Sequence, residues 1–128
     1  MPQVTLNKIA AVMAGAALGG AARYILATAI TERLASRYPW GTFLINISGC
    51  FLIGLISTLF VERVAQPATW SLFVVTGVLG GYTTFSAFGW ETAQLTRQSE
   101  YALALLYSLG SVLCGYLSVW LGILIARR

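Results

Sequence analysis

Four apolar blocks, each about as long as a bilayer core is thick, leave this chain few ways to fold. A helix needs roughly 20 predominantly apolar residues to cross the hydrocarbon layer. The blocks run from about Ile9 to Ile30, Thr42 to Val61, Leu72 to Phe88 with a polar continuation toward Leu95, and Ala102 to Ala126. Thr31 to Pro39, Glu62 to Thr69 and Thr96 to Glu100 form short polar connectors, lengths that permit only helix hairpins between neighbours. Hydrocarbon offers no partner to an unpaired backbone N–H or C=O, so each block must be helical. The expected fold class is an all-α membrane protein, with residues 1–128 forming a single four-helix transmembrane domain.

Composition agrees: 58% of residues are hydrophobic and 9% charged, more apolar surface than a soluble domain of 128 residues has interior to hide. Tyr38, Trp40, Trp70, Trp90, Tyr101 and Trp120 stand near block ends, where aromatic belts meet the membrane surface. Lys8 precedes an Ala/Gly-rich run that resembles a signal peptide, but the apolar pattern resumes after Arg23 with Tyr24-Ile25-Leu26-Ala27 and is too long for one.

Metal and enzyme chemistry find little purchase. Cys50 and Cys114 fall inside blocks without ligand spacing, and there is no histidine, so zinc, haem and iron–sulfur sites are not expected. Without histidine or aspartate no nucleophile, base and orienting group can be assembled, so the chain is read as no enzyme.

The third block breaks its own pattern. Gly80-Gly81-Tyr82-Thr83-Thr84-Phe85-Ser86-Ala87-Phe88 places two glycines and four hydroxyls in what should be a lipid-facing helix. Backbone that leaves the helix at such a depth must be buried in protein or line a wet cavity. The third helix is therefore expected to be broken near its middle, at a binding or permeation site.

Polar residues in the other spans suit such a site. Thr42 and Asn46 lie one turn apart, and Tyr107, Ser111 and Ser118 follow at helical spacing. With Thr83, Thr84 and Ser86 they make a neutral, donor-rich lining, while Arg23 and Glu91 bring charge near the spans. Amide and hydroxyl donors, with the positive edges of the Phe85 and Phe88 rings, can replace water around a small anion. Carbonyls freed at a helix break coordinate a cation instead. The alternatives are plain: phenylalanines three apart pack cores, Ser and Thr bond back to their own helix, and Asn46 serves as interhelical glue.

Positive charge is balanced across the membrane. Lys8, Arg63, Arg127 and Arg128 fall on the side of the termini, against Arg33, Arg37 and Arg97 on the other, with Arg23 unassigned. Such a balance gives almost no orientation preference and allows insertion either way up. The natural assembly is then an antiparallel dual-topology homodimer. Gly15 with Gly19, and Gly77 with Gly81, offer small faces for close contact, within a chain or between two.

Gly19-Gly20-Ala21-Ala22-Arg23-Tyr24, Gly41-Thr42-Phe43-Leu44-Ile45-Asn46 and Gly80-Gly81-Tyr82-Thr83-Thr84-Phe85-Ser86-Ala87-Phe88, in this order, resemble the Fluc (CrcB) family of fluoride ion channels. The resemblance implies a passive channel in the bacterial plasma (inner) membrane that exports cytoplasmic fluoride and lowers its toxicity. It implies two pores in an antiparallel homodimer set in membrane lipid, with no nucleic-acid partner, and a sodium ion at the dimer interface. By motif, Phe85 and Phe88 would flank the fluoride path, Asn46 would donate to the ion, and Thr84, Ser86, Tyr107 and Ser111 would continue the track. Backbone carbonyls of Gly80 and Thr83 would hold sodium, while Arg23, Thr42 and Glu91 would lie at a pore end or vestibule. Tyr82 departs from the family, which often carries an apolar residue there, as does Gly115, where a hydroxyl is common. Two other readings are a small dual-topology multidrug exporter, expected to carry a carboxylate in its first span where this chain has only Arg23, and a noncatalytic membrane assembly subunit.

Overall fold

The computed structural model describes residues 4–62 and 67–128. Arg63, counted above among the charges on the side of the termini, lies outside them. Among the described residues the chain is helical, and four stretches are long and apolar enough to cross a membrane: Leu6–Leu34, Trp40–Glu62, Ala68–Arg97 and Tyr101–Ala126.

Helix α1 (Leu6–Leu34) follows an extended Thr5 and ends where Ala35 turns left-handed at φ 42°, its N–H donating to Thr31 O. After a short turn, α2 (Trp40–Glu62) opens directly behind Pro39, whose carbonyl takes the Phe43 N–H. Proline suits a helix start because it has no N–H to leave unpaired.

The third span is composite. A single turn, α3 (Ala68–Ser71), widens into a π-wound segment, Leu72–Leu79, then tightens into one α turn, α4 (Gly80–Tyr82). Thr83 and Thr84 are extended, with ψ of 160° and 123°. The helix then restarts as α5 (Phe85–Arg97). The break expected from the glycine and threonine run thus falls between Tyr82 and Phe85. Where α5 ends, Ser99 is left-handed at φ 62° and the Glu100 N–H reaches back to Leu95 O. That bond satisfies a helix-end carbonyl with serine in the position glycine usually takes, and α6 (Tyr101–Ala126) follows at once.

The spans pack as two parallel pairs. A methyl on Gly15 would lie 2.3 Å from Phe73 O, one on Gly19 2.0 Å from Val78 O, and one on Gly81 2.6 Å from Ala16 O. Backbone therefore touches backbone along α1 and the π segment, and both small-residue faces are used within the chain. The pair α2 and α6 closes the same way, with Gly54 against Val119 O and Gly122 against Phe51 O. Lipid tails are as apolar as leucine, so such pairs are held by close van der Waals contact rather than by hydrophobic exclusion. Ion pairs join α2 and α6 at both ends: Arg37 with Glu100, and Arg127 with Glu62 at 2.7 Å. Hydrogen bonding to the Glu62 carboxylate, with its charge, raises the Arg127 guanidinium above its ordinary value.

Candidate functional site

The site is organised around the break, and α2 supplies its template. Asn46 on α2 faces Thr84 with both ends of its amide: Nδ2 donates to Thr84 O at 3.0 Å, and Thr84 N donates to Asn46 Oδ1 at 2.8 Å. One side chain so satisfies both backbone groups of a residue that has left the helix, as a low-dielectric setting requires. Asn46 is the interhelical glue that one reading expected, and its amide carries a second N–H beyond the one given to Thr84 O. Room for the break comes from Gly49, where a Cβ would fall 2.2 Å from Thr83 Cγ2.

Two carbonyl oxygens lose their helical partners through these same bonds. A continuous helix would bring the Thr84 N–H to Gly80 O and the Ala87 N–H to Thr83 O. Here Thr84 N is taken by Asn46, and Ala87 N donates to Thr84 Oγ1 at 3.2 Å, capping α5. Gly80 O and Thr83 O are thus available as hard donors, the class of ligand that alkali and alkaline-earth cations take. The Thr83 hydroxyl does not compete, because it donates back to Leu79 O at 3.0 Å.

Beside the break lies a groove of about 320 Å³, lined among others by Asn46, Gly80, Thr83, Thr84, Phe85, Phe88 and Ser111. Seven of the residues singled out in the sequence meet there from three spans. The lining is mostly apolar with a few convergent polar groups, the pattern of a small-ligand site. Ser111 is the informative one. Thr58, Thr92, Thr96 and Ser108 each donate to a carbonyl one turn back. Among the described residues, Ser111 Oγ is the buried side-chain oxygen without a partner. A buried hydroxyl left unpaired costs free energy unless a ligand or water meets it. The positive end of the α5 dipole also lies at the groove, since Thr84 and Phe85 both line it.

The two phenylalanines differ. Phe85 is 84% exposed in the single chain, so it is no core residue, and its ring lies 5.6 Å from that of Phe88. Phe88 is half-buried, with its ring 5.2 Å from Tyr107.

Tyr107, expected along the track, stands behind the lining. It is fully buried and its hydroxyl donates to Glu91 Oε2 at 2.6 Å, while Thr42 Oγ1 donates to Glu91 Oε1 at 2.7 Å. Thr42, Glu91 and Tyr107 therefore form one network linking α2, α5 and α6, with both carboxylate oxygens satisfied. Tyr38 closes it toward the water, with its ring 5.4 Å from Tyr107, and burial pushes its hydroxyl pKa up. Ser86 is exposed at the start of α5, 3.3 Å from Thr84 Oγ1. Arg23 sits partly buried on α1, one turn beyond Gly19, and has no hydrogen-bond or ion-pair partner among the described residues. Neither Ser86 nor Arg23 lines the groove. Sequence reasoning passed over Ser48, which stands two residues beyond Asn46 on α2 and so shares no helical stripe with it that could have signalled its role.

The sequence that builds this site has relatives among known proteins. The family described as CrcB-like protein, Camphor Resistance (CrcB), matches residues 10–123. The chain belongs to the CrcB family. A member from Solibacter usitatus, named a fluoride-specific ion channel FluC, is 51% identical over 114 residues, which cover 89% of this chain and 93% of that one. One of the same name from Acidobacterium capsulatum is 44% identical over 114 residues, 89% and 91% of the two chains. Another from a Caulobacter species is 40% identical over 124 residues, 96% and 97% of the two. Membership and the four apolar helices together make this a multi-pass integral membrane protein.

Proposed function

We propose that this chain is a passive, fluoride-selective channel of the bacterial plasma membrane that lets cytoplasmic fluoride out. The observation that carries the reading is the groove at the break, where an unpaired Ser111 hydroxyl, the spare N–H of Asn46 and the Phe85 and Phe88 rings converge on one space. Neutral donors held by the fold replace the hydration shell of a small anion without binding it too tightly to leave. Fluoride-specific channels at 40–51% identity support the choice of ion. Fluoride entering as neutral HF ionises in a more alkaline cytoplasm, and the membrane potential then drives the anion outward, so no coupling residue is required.

The working unit in this reading is an antiparallel homodimer in membrane lipid. The groove is open on one side, and the freed Gly80 and Thr83 carbonyls beside it are poorly suited to hydrocarbon, so in this reading a second copy completes the wall. The Gly80 and Thr83 carbonyls of two copies would hold a structural sodium ion, which would join the breaks by charge and take no part in transport. Asn46, Thr84, Phe85, Phe88 and Ser111 line the path, Tyr107 supports it through Phe88, and Ser86 extends it. Arg23, Thr42 and Glu91 stand toward its ends.

The test is efflux from liposomes that contain only this purified protein, followed with fluoride and chloride electrodes under one potassium gradient. Rapid release of fluoride without chloride is expected. Equal release of both ions, or none from folded protein, would overturn the reading.

A further inference from the structure

Tyr82, the departure in the break motif, has a partner. Its hydroxyl lies 3.0 Å from Ser48 Oγ on α2, and Ser48 Oγ lies 3.0 Å from Ile45 O. Each hydroxyl carries one proton. Both contacts are made together only if Tyr82 donates to Ser48 and Ser48 donates to the carbonyl. The chain Tyr82, Ser48, Ile45 O is then complete, with no donor left over.

Its position gives it meaning. Asn46 grips Thr84, on the far side of the break, while Ser48, two residues along α2, grips Tyr82 on the near side. Between them Gly49 admits Thr83. The stretch Ile45 to Gly49 thus holds every residue from Tyr82 to Thr84. We propose that Ser48 and Tyr82 are positioning residues for permeation: their bond is a second clasp that fixes the near lip of the break and so the aim of the freed Gly80 carbonyl and of the groove wall beside it. The role in permeation rests on the channel reading, whereas the clasp itself does not.

A membrane-embedded side-chain bond of this kind moves an equilibrium by about threefold on average. Tyr82→Phe and Ser48→Ala each remove one hydroxyl and little volume. In the full-length protein in liposomes, each is expected to speed amide hydrogen exchange across residues 80–88 about threefold, leave α6 unchanged, and slow fluoride efflux severalfold. The double variant should be no worse than either single one, because the two changes delete the same bond. Ser48→Thr, which keeps the hydroxyl, should restore the parent exchange and efflux.

Unchanged exchange in both single variants, or a double variant equal to the product of the singles, overturns the clasp. Faster local exchange with parent-like efflux overturns the role in permeation and leaves the clasp as packing. A parent protein that passes no fluoride fails the channel reading and with it that role, while the exchange measurements still decide the clasp.

Discussion

Substituting Gly19 by alanine puts the α1 contact to a direct test, with the neighbouring glycine as its control. The added methyl would lie 2.0 Å from Val78 O and 2.8 Å from Tyr82 N, both backbone atoms that cannot rotate away. The helices must part by roughly 1.5 Å to restore an ordinary contact. Overpacking costs about 1–3 kcal/mol, and a rigid obstacle puts this site at the upper end. Alanine recovers about 1 kcal/mol of helix propensity over glycine, so Gly19→Ala should destabilise by about 2 kcal/mol. At Gly20 an added methyl meets nothing within 4 Å, so Gly20→Ala should stabilise by up to about 1 kcal/mol. The two alanines should therefore differ by about 3 kcal/mol, over a hundredfold in the unfolding equilibrium. Unfolding in mixed dodecyl maltoside and dodecyl sulfate micelles, read by tryptophan fluorescence, measures both. If the two variants fall within about 0.5 kcal/mol of each other, backbone contact is not what joins these spans.

The groove makes its own predictions. Phe85→Ile and Phe88→Ile should each cut fluoride efflux at least about tenfold while the protein stays folded, and parent rates in both would remove the rings from the path. Asn46→Asp keeps the acceptor for Thr84 N but sets a carboxylate oxygen against Thr84 O; about 1–3 kcal/mol for the orphaned carbonyl adds to about 3 kcal/mol for charge at mid-span. Little or no efflux should remain, and normal transport by that variant would exclude Asn46 from the lining. Ser111→Ala deletes a buried hydroxyl with no protein partner, so the fold should lose no stability while efflux falls, a split that unfolding and electrode measurements on one preparation resolve.

The spans were legible because block length and apolarity answer to bilayer thickness, and helix ends moved outward only where connectors stayed helical, as at Thr31 to Leu34. The break was legible for the same kind of reason: Gly80-Gly81 followed by two threonines weakens a helix locally. Its consequences were not. Whether Asn46 faces the ion or the backbone depends on how α2 sits against the third span, which no local pattern encodes. The small-residue pairs left contact within a chain and between chains equally open, and it is the close approach of Gly15 to Phe73, Gly19 to Val78 and Gly81 to Ala16 that shows them used within the chain. Tyr107 and Ser111 share a stripe by periodicity, yet one is sealed behind Phe88 and the other reaches the groove. The π winding of Leu72–Leu79 has no signature in its residue types.

The ion pairs at the two ends of α2 and α6 carry a consequence for the aqueous compartments. Each end is closed by one arginine and one glutamate, so the same chemistry faces both sides of the membrane. Orientation is settled during insertion, while the arginines are still unpaired and count as free positive charges. Salt on either side screens one pair and spares the other, so the two ends of the α2–α6 pair answer to the two compartments separately.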